Sequence, residues 1–177
     1  MVATLKRWTL EEVHSLPDDG NKYELVRGEL FVTPPPNPEH ESIAARLSRL
    51  LDRYVEAEGL GFVYHPRAVM RFEGSEVEPD LMVRQPDARG AKDWDHSPTP
   101  ILIVEIQSPS TRRRDNVQKR TLYIDARVEE YWMVDPERRC VTAVRTGEAD
   151  RVETQTLSWQ PSGAGAALTV DLSSLFD

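Results

Sequence analysis

Ile101-Leu102-Ile103-Val104-Glu105-Ile106-Gln107-Ser108-Pro109-Ser110-Thr111 is the stretch that decides the fold. Its first six residues form the most apolar strand-like run of the chain, and a Ser-Pro-Ser-Thr turn ends it. That pattern predicts a strand in the middle of a sheet, buried on both faces. Glu105 stands inside this run. A carboxylate so placed carries a desolvation cost that a cation or a hydrogen-bond donor must offset, so a positive group is expected beside it.

Working outward, residues 112–126 fit a helix, and strands follow at 130–134 and 140–144 with Asp135-Pro136-Glu137-Arg138 turning between them. Upstream, Asp80-Leu81-Met82-Val83 has a short buried-strand pattern, delivered by a loop that Gly74 and Pro79 bracket. Two further strands are expected at 62–64 and 68–72. Asn37 reads as an N-cap with Pro38 at the first helical position. Ile43, Leu47, Leu50, Leu51, Tyr54 and Val55 then recur at helical spacing up to Gly59. Before that helix, 23–26 and 30–32 flank Arg27-Gly28-Glu29 as a hairpin, closed by Pro34-Pro35-Pro36. Thr9-Leu10-Glu11-Glu12 has the capping-box form and opens a short helix. Residues 86–100, with three prolines and no periodicity, read as a long loop. The tail holds one strand-like stretch near 152–157 and a loose Ser162-Gly163-Ala164-Gly165.

The 177 residues fall within the usual span of one domain and are too few for two ordinary ones. A single domain over 1–177 is expected, with 146–177 as a C-terminal strand and tail. Thirty acidic against 22 basic side chains give a formal charge of −8, which excludes a uniformly basic nucleic-acid coat and leaves room for a local basic patch. Residues 101–145 supply one, with nine bases against seven acids. The longest apolar run of the central region, 101–104, is far short of the about 20 residues that span a bilayer, so no membrane partner is expected. Met1-Val2-Ala3-Thr4-Leu5-Lys6-Arg7 has no hydrophobic stretch after its basic pair, unlike a secretory signal. A lone Cys140 forms no internal disulfide. Both point to the reducing cytoplasm.

If the strands that carry Asp80 and Glu105 are neighbours, both carboxylates reach one point. Hard oxygen ligands with waters are what Mg²⁺ selects. The Ile106 carbonyl adds a third protein oxygen. Such an ion polarises a phosphate and activates water. Asp115, Lys119 and Tyr123, spaced by four, line one helix face, and Lys119 is positioned to bring a cation to the same point. Arg112, Arg113 and Arg114 stand at that helix's start, where three cations oppose the dipole and favour an anionic partner. Ser108 and Thr111 offer hydroxyls to phosphate oxygens.

Pro79-Asp80, Glu105-Ile106-Gln107-Ser108-Pro109-Ser110-Thr111, Asp115, Lys119, Tyr123 and Glu130-Tyr131-Trp132-Met133-Val134-Asp135-Pro136 resemble the Uma2 family of endonucleases, a branch of the PD-(D/E)xK restriction-endonuclease-like superfamily. Tyr23-Glu24-Leu25-Val26-Arg27-Gly28-Glu29-Leu30 and Pro34-Pro35-Pro36-Asn37-Pro38-Glu39-His40 extend the resemblance, which covers most of residues 20–145. The resemblance implies an α/β, restriction-endonuclease-like core with a mixed central β-sheet flanked by helices. It also implies phosphodiester cleavage dependent on Mg²⁺, with Mn²⁺ as a substitute, on DNA by a homodimer. Asp80 and Glu105 would then be metal ligands and Lys119 the basic residue. The superfamily's lysine two residues after the second acid is Gln107 here, so competence depends on Lys119 having moved to the helix. An additional acid is common in the superfamily, and Glu24, Glu29 and Glu41 are the candidates.

Plainer readings stand beside these. Asp80 after Pro79 fits a turn cap, Glu105 a structural ion pair, Glu24 and Glu29 outward-facing strand carboxylates, and Tyr123 core packing. His40, near a helix start, reads as a capping or surface residue. Gln107 favours a nuclease fold kept as a binding or regulatory module without catalysis. A two-carboxylate glycosidase leaves Lys119 and the arginine triplet without roles.

Overall fold

Residue alternation in strand β7 (Leu102–Ile106) organises two apolar layers around one sheet. The computed structural model describes residues 6–177, with Ala88 and Arg89 as backbone alone. The stretch 1–5, part of the segment read for a leader, lies outside the described residues. The expected hairpin is β1 (Lys22–Val26) and β2 (Glu29–Thr33), after a short helix α1 (Leu10–His14) capped by Thr9 and Glu12. Its two-residue turn, Arg27-Gly28, has positive φ at both positions, the geometry that suits the strands' twist. Helix α2 (Pro38–Ala57) begins where Asn37 accepts the His40 N–H. The middle of the chain gives β3 (Phe62–Tyr64), β4 (Met70–Phe72), β5 (Ser75–Val77) and β6 (Leu81–Arg84), with a 3₁₀ turn at Pro86–Gly90 in the long loop.

Beyond β7, residues 112–125 form one helical segment: α3 (Arg112–Arg114), a π-helical turn (Asp115–Lys119) and α4 (Arg120–Asp125). Then come β8 (Glu130–Asp135), β9 (Cys140–Arg145), β10 (Arg151–Glu153), β11 (Thr156–Trp159), β12 (Leu168–Asp171) and α5 (Leu172–Phe176).

The main sheet is mixed, in the order β10-β9-β8-β7-β6-β3; β7 and β8 are parallel and the other pairs antiparallel. Leu102, Val104 and Ile106 face α2, whose Ile43, Leu47, Leu51 and Val55 complete that layer together with Trp132, Trp159 and Leu175. Ile103 faces the opposite layer, built from Met82, Leu122, Tyr123, Tyr131 and Val77. A second, antiparallel sheet, β2-β1-β5-β4, joins this second layer through Val26, Met70 and Val77. Helices thus flank a mixed central sheet, as expected.

Four elements differ from the sequence reading. Residues 75–77, read as loop, form β5. Its Ser75 and Glu76 are buried because the Ser75 hydroxyl accepts the Arg27 N–H, and Glu76 takes His14 and Arg71. The helix expected over 112–126 carries the π turn, which inserts an extra residue where Asp115 and Lys119 are both buried. The strand near 152–157 is two strands, β10 and β11. The tail adds β12 and α5, whose Val170, Leu172 and Leu175 seal the α2 layer.

Candidate active site

The register between β6 and β7 creates the site. Leu81 pairs with Val104, and carried one residue further this sets Asp80 across from Glu105. Residues directly opposite in an antiparallel pair present their side chains on one face. The backbone N–H of Ile106 donates to Asp80 Oδ2 at 2.7 Å and fixes that carboxylate at the strand's end.

Beneath the pair lies a sealed layer. Glu24 of β1 enters from the second sheet and is fully buried. The Lys119 ammonium, with no exposed surface, donates to Glu24 Oε1 at 2.6 Å and to Glu105 Oε1 at 2.7 Å. The Tyr123 hydroxyl donates to the same Glu105 oxygen at 2.6 Å, and the Glu78 N–H to Glu24 Oε1 at 2.9 Å. Arg114 lies 3.6 Å from Glu24 Oε2, an oxygen that is buried without a hydrogen bond. Burial, reinforced by the Asp80 and Asp115 charges against the attraction of Lys119, pushes the Glu105 carboxyl up to about 7. Burial opposes the Lys119 charge as well, yet Glu105 and Glu24 outweigh it and hold the ammonium above the usual lysine value. Burial likewise opposes the Glu24 charge, and Lys119, Lys22 and Arg114 together keep it below the ordinary carboxylate range.

Above this layer is a half-open one. Lys22, at the start of β1, donates to the Glu78 carbonyl at 2.9 Å and to Asp80 Oδ1 at 3.4 Å. His40, in the first turn of α2, meets Asp80 Oδ2 through Nε2 at 3.1 Å. Burial works against the Asp80 charge, but Lys22, His40 and the Ile106 N–H hold that carboxyl far below its usual value. Burial pulls His40 down, and Asp80 more than compensates, so the imidazole is raised.

The half-open layer floors a cleft of about 1260 Å³ between the start of α2, the proline run after β2 and the 107–112 turn. Lys22, His40, Asp80, Glu105, Ile106, Gln107, Ser108, Thr111, Arg112 and Arg114 line it; Lys119, Tyr123 and Glu24 do not. Gln107 donates to Asn116 Oδ1 at 2.9 Å. Ser108 and Thr111 are closed on each other by hydrogen bonds of 3.0 and 3.3 Å. Of the arginine triplet, Arg114 is buried against Glu24, Asp115 and Thr33, Arg112 binds Asp135 and Glu137, and Arg113 is exposed away from the cleft. Glu41 is exposed on the rim, and Glu29 lies exposed on β2 outside it.

Lys22 is the residue that sequence reasoning missed. Its signal was its spacing of two from Glu24, which puts both on one face of β1. His40 was read as a cap or surface group, and its backbone does meet the Asn37 cap while its ring reaches Asp80.

Five carboxylates (Glu24, Glu78, Asp80, Glu105 and Asp115) face four permanent cations (Lys22, Arg67, Arg114 and Lys119) around this point. The shortage of positive charge fits a divalent cation. Among the described residues no group of three or more His, Cys, Asp or Glu side chains is placed to hold one. Two carboxylates with a backbone carbonyl match Mg²⁺, which takes one or two carboxylates and keeps several waters. Asp80, Glu105 and the Ile106 carbonyl are the residues that would hold the ion. No helix among the described residues is long and apolar enough to cross a membrane.

A crystal structure of "a putative nuclease belonging to DUF820" from Anabaena variabilis ATCC 29413 matches with a TM-score of 0.80, covering 96% of this chain and 97% of that one. At 19% identity the likeness is one of fold. No curated protein compared with the chain matches it. The Uma2 family model, described as "Putative restriction endonuclease", matches residues 10–173 and so nearly the whole sequence, and the chain belongs to the Uma2 family.

Proposed function

We propose that this chain is a metal-dependent endonuclease that hydrolyses phosphodiester bonds in DNA at the Asp80–Glu105 pair. The observation that carries the reading is the register across β6 and β7, which sets two carboxylates side by side at the floor of an open cleft. Mg²⁺, or Mn²⁺ in its place, would polarise a phosphate oxygen and lower the pKa of a bound water when held there. Asp80 is pre-set as a carboxylate by its Ile106 hydrogen bond and by Lys22 and His40. Lys119 and Tyr123 fix the Glu105 side chain from below. Gln107, held by Asn116, together with Ser108 and Thr111 on the rim, meets the nucleic acid, while Arg112 stays bound to Asp135 and Glu137. The family's homodimer and the cytoplasmic setting, which the lone buried Cys140 suits, belong to the same reading.

The test is cleavage of supercoiled plasmid in Mg²⁺ or Mn²⁺ by the wild type and by Asp80→Asn. Wild-type nicking with loss of about 100-fold or more in the variant is expected. Equal cleavage by both removes Asp80 from the site. Gln107 favours a second reading, a nuclease fold retained as a binding module, and that reading predicts DNA retention without cleavage by either protein.

A further inference from the structure

Two lysines reach this acidic cluster, and they differ in what they are able to touch. Lys119 is fully buried, lies between Glu24 and Glu105, and takes no part in the cleft wall. A phosphate in the cleft is separated from it by the Glu105 side chain. Lys22 lines the cleft, and 17% of its side chain is exposed. Of its three N–H donors one goes to the Glu78 carbonyl and one, long at 3.4 Å, to Asp80; the third has no acceptor among the described residues. Lys22 and Glu24, two apart, share one face of β1, so the strand delivers a cation to the mouth of the site and a carboxylate to its base.

We infer that Lys22 is the catalytic lysine that contacts the scissile phosphate, and that Lys119 is a positioning residue acting through Glu105. The inference rests on the reading of the site as a phosphodiesterase. In the reaction a water oxygen bonds to phosphorus and releases one proton to solvent, one ester P–O bond breaks, and the departing oxygen takes up a proton from solvent. Lys22 neither gives nor takes that proton. Its free N–H donates to a nonbridging phosphate oxygen, where negative charge gathers as the fifth bond to phosphorus forms. A point-charge ammonium suits the place, because its separate donors let one stay on Asp80 while another turns to the phosphate.

The experiment has two arms on the full chain. In the first, plasmid cleavage in Mn²⁺ is measured for the wild type, Lys22→Met and Lys22→Arg, together with thermal unfolding and Mn²⁺ titration of each. Lys22→Met is expected to stay folded with a lowered Tm, because Asp80 and Glu24 lose a cation, and to bind Mn²⁺ at least as tightly as the wild type, while kcat measured below its Tm falls about 100-fold, with Lys22→Arg recovering only part of the rate. In the second, ¹⁵N-detected lysine ammonium signals are followed as a short DNA duplex is added in Ca²⁺. The Lys22 signal is expected to move and the Lys119 signal to stay. Cleavage by Lys22→Met at the wild-type rate overturns the inference and leaves the nuclease reading standing, as does movement of the Lys119 signal alone. A wild type that neither cleaves nor binds DNA overturns both.

Discussion

Asp80 and His40 form a pair whose strength is set by pH from both sides. The Asp80 carboxyl is held below its ordinary value of 3.8, so its contribution to stability is present above that value and is lost as pH falls through the lower folded value. The His40 imidazole is raised above 6.5, so its contribution is present below 6.5 and is lost as pH rises through the higher folded value. The window in which both are charged and paired therefore centres near pH 5. A double-mutant cycle on Asp80→Asn and His40→Gln, read by urea unfolding, is expected to give a coupling of about 1–3 kcal/mol at pH 5 and roughly half of that or less at pH 9. A coupling that grows with pH contradicts the assignment. Lys119 behaves differently, since its removal strands two buried carboxylates: Lys119→Met is expected to cost about 3–5 kcal/mol of stability at pH 7.5. Glu105 itself was legible in the sequence, because an acid inside an apolar strand demands a partner. Glu24 was legible only as one of three candidate acids beside Glu29 and Glu41, because a glutamate on an amphipathic hairpin strand equally reads as outward-facing. Only the packing of the second sheet over the first turns it inward.

At the scale of elements, the approach of β3 to β6 depends on one glycine. Gly61 sits at φ +129°, and a Cβ there would lie 1.9 Å from the Arg84 carbonyl oxygen, one end of the Phe62–Arg84 pairing. Gly61→Ala is expected to cost about 2–3 kcal/mol by forcing β3 off β6. Gly59→Ala, at φ +64° in open space, is expected to cost about 1 kcal/mol for its backbone alone. Comparing their Tm values checks the difference. The elements visible in the sequence are those with local signals: the Asn37–Pro38 start of α2, the Arg27-Gly28 turn, and the apolar runs of β7 and β8. The elements that escaped it take their structure from distant partners. β5 owes its burial to His14, Arg71 and the Arg27 backbone, and α5 owes its place to the α2 layer. The π turn was hidden because spacings of four at Asp115, Lys119 and Tyr123 are those of an ordinary helix.

For the whole molecule, a formal charge of −8 on an expected DNA enzyme is resolved by where its cations stand. Arg114 is buried against Glu24 and Arg112 is held by two carboxylates, which leaves Arg49, together with Lys22 and Arg67 in their single carboxylate contacts to Asp80 at 3.4 Å and Asp18 at 3.5 Å, as basic groups on the cleft wall for phosphates. So few contacts predict weak, local binding whose log K falls with log salt at a slope of about −2 to −3. A slope near −8 would place the nucleic acid on a much wider surface. The shared register of Asp80 and Glu105 is what would make the cleft floor a metal site. The measurement that tests it most directly is anomalous diffraction from crystals soaked in Mn²⁺. One ion per chain is expected, in contact with Asp80, Glu105 and the Ile106 carbonyl. A fully soaked crystal with no ion there, or with Mn²⁺ bound only elsewhere, would contradict it.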